Sequence, residues 1–221
     1  MFCSEKCKNE DVIHHKYECE ISETLKSPLL TSTMKIAIRT LFKSLHVFSD
    51  SVEDLQDHLM NNKKPTVYSF DLSKMDDVSK YKNLLLVINS MMANEKLEIN
   101  EFLYDEILTS HSKLQVFCQD EAKKAFMKSF LVRQSQIGSL NYHEMYAWPM
   151  KEGGLDDDED HPVVLAYRRG MISFGSGSFP FHTLLNHSCA PNIVHICVEG
   201  KLVSVVQRQI EKGSQLFDNY G

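Results

Sequence analysis

Near Gly138 the apolar residues of this chain change their period. From Pro28 to about Gln136 they recur at mixed three- and four-residue spacing, which lays one stripe along a helix. Ile36, Ile38, Leu41, Leu45 and Phe48 follow Ser32-Thr33, a pair that can cap a helix start, and a second helix is expected after Asp50-Ser51. Two more are expected: one from about Asp76 to Asn94 on Tyr81, Leu84, Leu85, Ile88, Met91 and Met92, and one from Asp120 to about Gln136 on Ala125, Phe126, Phe130 and Leu131. After Gly138 the apolar stretches shorten, as in Met171–Phe174 and Ile193–Val198, and Gly, Pro and acidic residues break them. That is the pattern of strands and turns. "IVHICVEGKLVSVVQRQIEKGSQLFDNYG" predicts two strands joined at Glu199-Gly200, a turn at Lys212-Gly213 and a short final strand. Helices first and small sheets after make the class α+β.

With 221 residues, 43% of them apolar, the chain can bury a real core. Its longest unbroken apolar run, Leu84–Ile88, is far short of the roughly 20 residues that cross a bilayer. Met1 leads into a polar stretch and not a signal peptide, so neither secretion nor membrane insertion is expected. The formal net charge is −6, and the run Asp156–Asp160 carries five negative charges, so the remainder is close to neutral and has no nucleic-acid footprint. That acidic run reads as a solvated loop, although its field would also attract basic tails. Three of the six cysteines fall within the first nineteen residues, a clustering that favours metal binding over disulfides in an intracellular protein.

The head, "MFCSEKCKNEDVIHHKYECE", holds Cys3-x3-Cys7 and His15-x3-Cys19. Each spacing lets one helical turn chelate one ion. The two pairs could fill a single tetrahedral site, or each could complete a separate site. Ordinary thiols on a short helix are the plain alternative.

Near the other end, "NHSCAPN" places the side chains of Asn186, His187, Ser188 and Cys189 before a proline. Asn186-His187-Ser188 fits a glycosylation sequon, which is irrelevant without secretion. A hydrolytic Cys189/His187 pair lacks the distant partners such sites assemble. A plain turn at Pro191-Asn192 is the remaining bland reading.

The stretch from Gly175 to Gly221, with NHSC-x-PN followed by Asn219-Tyr220-Gly221, resembles the C-terminal core of SET-domain lysine methyltransferases, and "FCSEKC" with "HHKYEC" resembles the second half of a MYND zinc finger. Together with the helices between them, the order is similar to the SET and MYND domain-containing family. The resemblance implies a partial MYND finger at 1–20, a helical insert at 21–137, and a SET core at 138–221 built of small sheets with a knot-like C-terminal segment. It implies S-adenosylmethionine and zinc as cofactors. Asn186 and His187 would hold the former, as would Asn141 in "SLNYHEMY", whose alternative reading is a turn residue. Tyr220 would contact the cofactor and act in catalysis, where the plain reading is a packed aromatic. Cys3 and Cys7 would serve one zinc, His15 and Cys19 another, and Cys189 a third together with cysteines downstream.

By the same resemblance the partners are a protein substrate presenting a lysine and peptides bound by the MYND region, in the cytoplasm and nucleus. The glycine-containing cofactor loop and the first half of the finger would precede Met1, and the post-SET cysteines would follow Gly221, so the chain reads as the central part of a longer protein. The competing function is a MYND/SET interaction module without catalysis. Few polar groups suffice for the enzyme. Methyl transfer from a sulfonium is an in-line displacement with a neutral leaving group, so alignment and an unprotonated amine matter more than a strong base. The lysine pKa, near 10.4 in water, falls in a desolvated channel facing the sulfonium.

Overall fold

The mixed three- and four-residue spacing folds into helices, as the sequence predicts. The computed structural model describes Glu5 and residues 11–62, 71–147, 172–198 and 201–220, and the chain forms two compact units, Met1–Asn141 and Tyr142–Gly221. Cys3, Cys7, the acidic run at 156–160, the turn at Glu199-Gly200 and Gly221 lie outside the described residues.

The first unit begins with a π-helical turn, His14–Glu18, followed by α1 (Ser22–Leu25), α2 (Ser32–Val47), α3 (Val52–Asn61), a 3-10 turn (Leu72–Lys74), α4 (Asp77–Asn89), α5 (Glu101–Ser110), α6 (Ser112–Phe117) and α7 (Glu121–Asn141). Thr31, one residue ahead of the expected pair, caps α2 by accepting from the Met34 N–H. Ser51 and Asp76 cap α3 and α4 in the same way. Helix α2 packs chiefly on α7, burying Ala37, Ile38, Leu41, Phe42 and Leu45 against Met127, Phe130 and Leu131. The head joins this core. Tyr17 stacks on Phe42 with centroids 5.1 Å apart, and the buried His111 ring lies with Nε2 2.9 Å from the Tyr17 carbonyl.

Two boundaries differ from expectation. Helix α4 stops at Asn89, where Ser90 turns the chain, instead of running to Asn94. Helix α7 runs through Gly138, which is buried within it, to Asn141. Helices α5 and α6, not anticipated, are short and meet at His111, whose Nδ1 accepts from the Lys113 and Leu114 N–H groups and starts α6.

The second unit consists of three two-stranded sheets. Strands β1 (Tyr142–Ala147) and β2 (Ile172–Ser178) pair antiparallel with a register shift between Met145 and Tyr146. A 3-10 turn, His182–Leu184, leads into β3 (Asn186–His187), which pairs in parallel with β6 (Phe217–Asp218). Strands β4 (Ile193–Val198) and β5 (Lys201–Val206) form the expected hairpin, and Gly213 sits at φ 89°, the left-handed conformation the expected turn requires. The α+β class holds: helices come first and small sheets after. Among the described residues of this unit the buried ones are His182, Asn192, Ile193 and Asp218, three of them polar. No helix among the described residues is long and apolar enough to cross a membrane.

Candidate functional site

The two-residue strand β3 has no length to stabilise itself, so its position depends on what grips it. Its pairing with β6 sets Asn186 opposite Phe217 and His187 opposite Asp218. The Ser188 N–H donates to the Asp218 carbonyl at 2.9 Å and continues the ladder. Asn192, buried just past the proline, fixes the approach to β6. Its Nδ2 donates to the Gln215 carbonyl at 2.9 Å, and its Oδ1 accepts from the Phe217 N–H at 2.8 Å. The "APN" turn is thus a clamp, and it holds the NHSC segment and the final strand side by side.

The clamp brings four of the sequence-predicted residues together. The Tyr220 N–H donates to His187 Nδ1 at 3.1 Å, and the Tyr220 hydroxyl donates to the Leu185 carbonyl. The two rings lie 5.2 Å apart between centroids. Because Nδ1 accepts, the neutral imidazole carries its proton on Nε2, which is 3.3 Å from Cys189 Sγ and donates toward it. Asn186, His187, Cys189 and Tyr220 are all exposed, Tyr220 by 63%. An amide, an imidazole, a thiol and a phenol therefore face outward on one backbone frame, available to a ligand.

The other predicted residues belong to the first unit. Asn141 ends α7, and its Nδ2 donates to the Met92 carbonyl at 2.8 Å and the Ile137 carbonyl at 2.7 Å. His15 and Cys19 stand one turn apart with Nδ1 and Sγ separated by 3.9 Å, and Cys19 is exposed. Such a pair can converge on one ion.

Sequence reasoning missed a second cluster in the second unit. Asp218 Oδ2 lies 2.9 Å from His182 Nε2 and 3.2 Å from His195 Nδ1. His182 Nδ1 lies 3.3 Å from Ser204 Oγ, and Ser204 is the cross-strand partner of His195. The His143 ring is edge-on to both imidazoles, at 4.7 and 5.9 Å, with Nε2 3.2 Å from Thr183 Oγ1. Burial lowers the His143 pKa to about 4, helped by its two imidazole neighbours, and burial also lowers that of His182 against the pull of Asp218. These residues come from five separate elements, so no local spacing announces them. The one available signal was strand parity: His195 lies two residues from Ile193 and so shares a face with it, and Ile193 is buried.

Comparison with known proteins shows the family. The family model of the SET domain matches residues 1–221. A SET and MYND domain-containing protein of Dictyostelium discoideum is 22% identical over 244 residues, an alignment covering 99% of this chain and 40% of that protein. This chain therefore spans about 40% of the length of that relative. No solved structure matches.

Proposed function

This chain belongs to the SET domain family, the SET and MYND domain-containing proteins among it, and from that premise we propose that it forms the cofactor and lysine site of an S-adenosylmethionine-dependent protein-lysine N-methyltransferase. The observation that carries the reading is the parallel pairing of β3 with β6, which sets exposed Asn186 and His187 beside exposed Tyr220.

The residues present suit a polar, aromatic-tolerant ligand: an outward amide, an imidazole held in one tautomer by a backbone N–H, and a phenol beside it. When bound, S-adenosylmethionine supplies a methyl group on a positive sulfonium. In the proposed reaction Asn186 donates and accepts hydrogen bonds to the bound cofactor, and His187 adds a contact whose direction the Tyr220 N–H sets. Tyr220, its hydroxyl anchored to the Leu185 carbonyl, orients the incoming amine with its ring and oxygen. That amine must be neutral to attack, so closing the channel against water is part of the work. Cys3 and Cys7 would hold one zinc, His15 and Cys19 a second, and Cys189 a third with cysteines downstream, in the manner of MYND and SET cysteines, and the finger region would bind peptide partners. The setting proposed is the cytoplasm and nucleus.

The test is cofactor binding by calorimetry and transfer of a labelled methyl group to a lysine-bearing protein, both on the full-length protein. Saturable binding that Asn186→Ala weakens, together with transfer, supports the reading. A folded protein that neither binds cofactor nor transfers methyl overturns it in favour of an interaction module.

A further inference from the structure

We propose that His182, His195 and Asp218 form a zinc-type metal site inside the second unit, with no cysteine among these three ligands. Their ligand atoms all lie within 4.8 Å of one another. Two of the side chains are almost wholly enclosed and His195 is a fifth exposed. Two imidazoles and a carboxylate are a ligand set that a borderline divalent ion such as zinc accepts, with water or a further side chain completing a tetrahedron.

The distances come close to what such an ion needs. Zinc bonds to nitrogen and oxygen of about 2.0–2.1 Å put neighbouring tetrahedral ligands about 3.4 Å apart. The two nitrogens stand 2.9 and 3.2 Å from Asp218 Oδ2, within a few tenths of an ångström of that spacing, and all three ligand atoms lie within 4.8 Å of one another. The proton inventory also balances. Without metal, His182 Nε2–H and His195 Nδ1–H both donate to the same carboxylate oxygen. With metal, each neutral imidazole moves its proton to its other nitrogen. His182 Nδ1–H then donates to Ser204 Oγ, which today stands 3.3 Å away and becomes the outer partner that fixes the ring. No proton need leave the protein.

Three of the four buried described residues in this unit are polar, and two of them, His182 and Asp218, belong to the cluster. Here the ion would join the 3-10 turn just before β3, the β4–β5 hairpin, and β6 two residues before Tyr220, which are the segments that frame the NHSC strand.

The full chain, stripped with a chelator, is titrated with Zn(II) and with Co(II), and bound metal is counted by elemental analysis. The same is done with Cys3, Cys7, Cys19 and Cys189 all changed to Ala. The quadruple variant is expected to retain one equivalent, with a Co(II) spectrum lacking thiolate charge transfer. In that background His195→Ala and Asp218→Asn lose more than about 10-fold in affinity, and Ser204→Ala about 10-fold. Zinc raises the melting midpoint of the quadruple variant and not that of His195→Ala. If the quadruple variant misfolds, the count is made in the otherwise unaltered chain, where His195→Ala should bind one equivalent fewer. Equal metal content with and without His195, in either background, means that the cluster is a hydrogen-bonded network with no ion, and the proposal fails.

Discussion

Two asparagines six positions apart do opposite work. Asn192 is buried and spends both ends of its amide on the backbone of 215–217, whereas Asn186 is exposed beside His187. Asn192→Ala should therefore destabilise the second unit by about 1–3 kcal/mol, since it leaves a donor and an acceptor without partners. Asn186→Ala should leave the melting curve unchanged and weaken S-adenosylmethionine by about 1–3 kcal/mol in calorimetry of the full-length protein. The reverse pattern would assign the cofactor contact to the wrong asparagine. Tyr220 separates along another axis. Phe keeps the ring beside His187 and loses the bond to the Leu185 carbonyl, so Tyr220→Phe should lower kcat for methyl transfer far more than cofactor affinity. Single-turnover transfer at the parent rate would remove the phenol from catalysis. NHSC and the terminal tyrosine were legible in the sequence because a short motif carries them. The His182, His195 and Asp218 cluster was not, because its members come from three elements that meet only on folding.

Among the elements, the long helices were the most readable, since a stripe repeated over sixteen residues in α2 and capped at Thr31 leaves few alternatives. Helices α5 and α6 escaped because His111, a polar residue at their junction, is buried and interrupts the stripe. The link between the head and α2 was also invisible, because it runs through charges far apart in sequence. Ser49 and Asp50 both adopt positive φ after α2, at 54° and 64°, which aims Asp50 at the head. There it accepts from the Tyr17 hydroxyl and pairs with Lys16 at 2.8 Å. Burial alone would raise the Asp50 pKa, but hydrogen bonds from Lys16 and Tyr17 outweigh it and leave the value lowered. A carboxylate lowered on folding adds stability that is complete above its unfolded value of about 3.9 and is lost as pH falls through the folded value. Acid unfolding followed by circular dichroism should thus show a shallower limb below about pH 4 in Asp50→Asn, which keeps an asparagine's tolerance of positive φ. An unchanged acid limb would show that the Asp50 pairing adds nothing to folding. A separate change, Phe42→Ala, should cost about 3–5 kcal/mol, read from denaturant unfolding, because it empties the stack on Tyr17 in the middle of the core.

At the scale of the whole molecule, the two units are held together internally by different forces. In the first, the largest enclosed side chains are Tyr17, Phe42, Tyr104 and the aliphatic residues around them, spread over the head and six helices. In the second, the described strands pair two by two, and among the described residues the enclosed ones are mostly polar. Two-stranded pairs are marginal by themselves, and local opening follows the density of apolar contacts. Amide hydrogen exchange should therefore show α2 and α7 protected to the limit set by global unfolding. The amides of β3 and β6 should exchange through a lower-energy opening confined to residues 142–221. Ligands that grip only the second unit should narrow the gap, because binding to the closed form adds its own free energy to the cost of opening. S-adenosylmethionine added to the full-length protein should slow exchange at 186–188 and 217–220 while leaving α2 unchanged. Uniform protection before ligand would mean that the second unit has no weaker opening of its own, and slowing spread equally over both units would place the ligand effect outside the frame that holds Asn186, His187 and Tyr220.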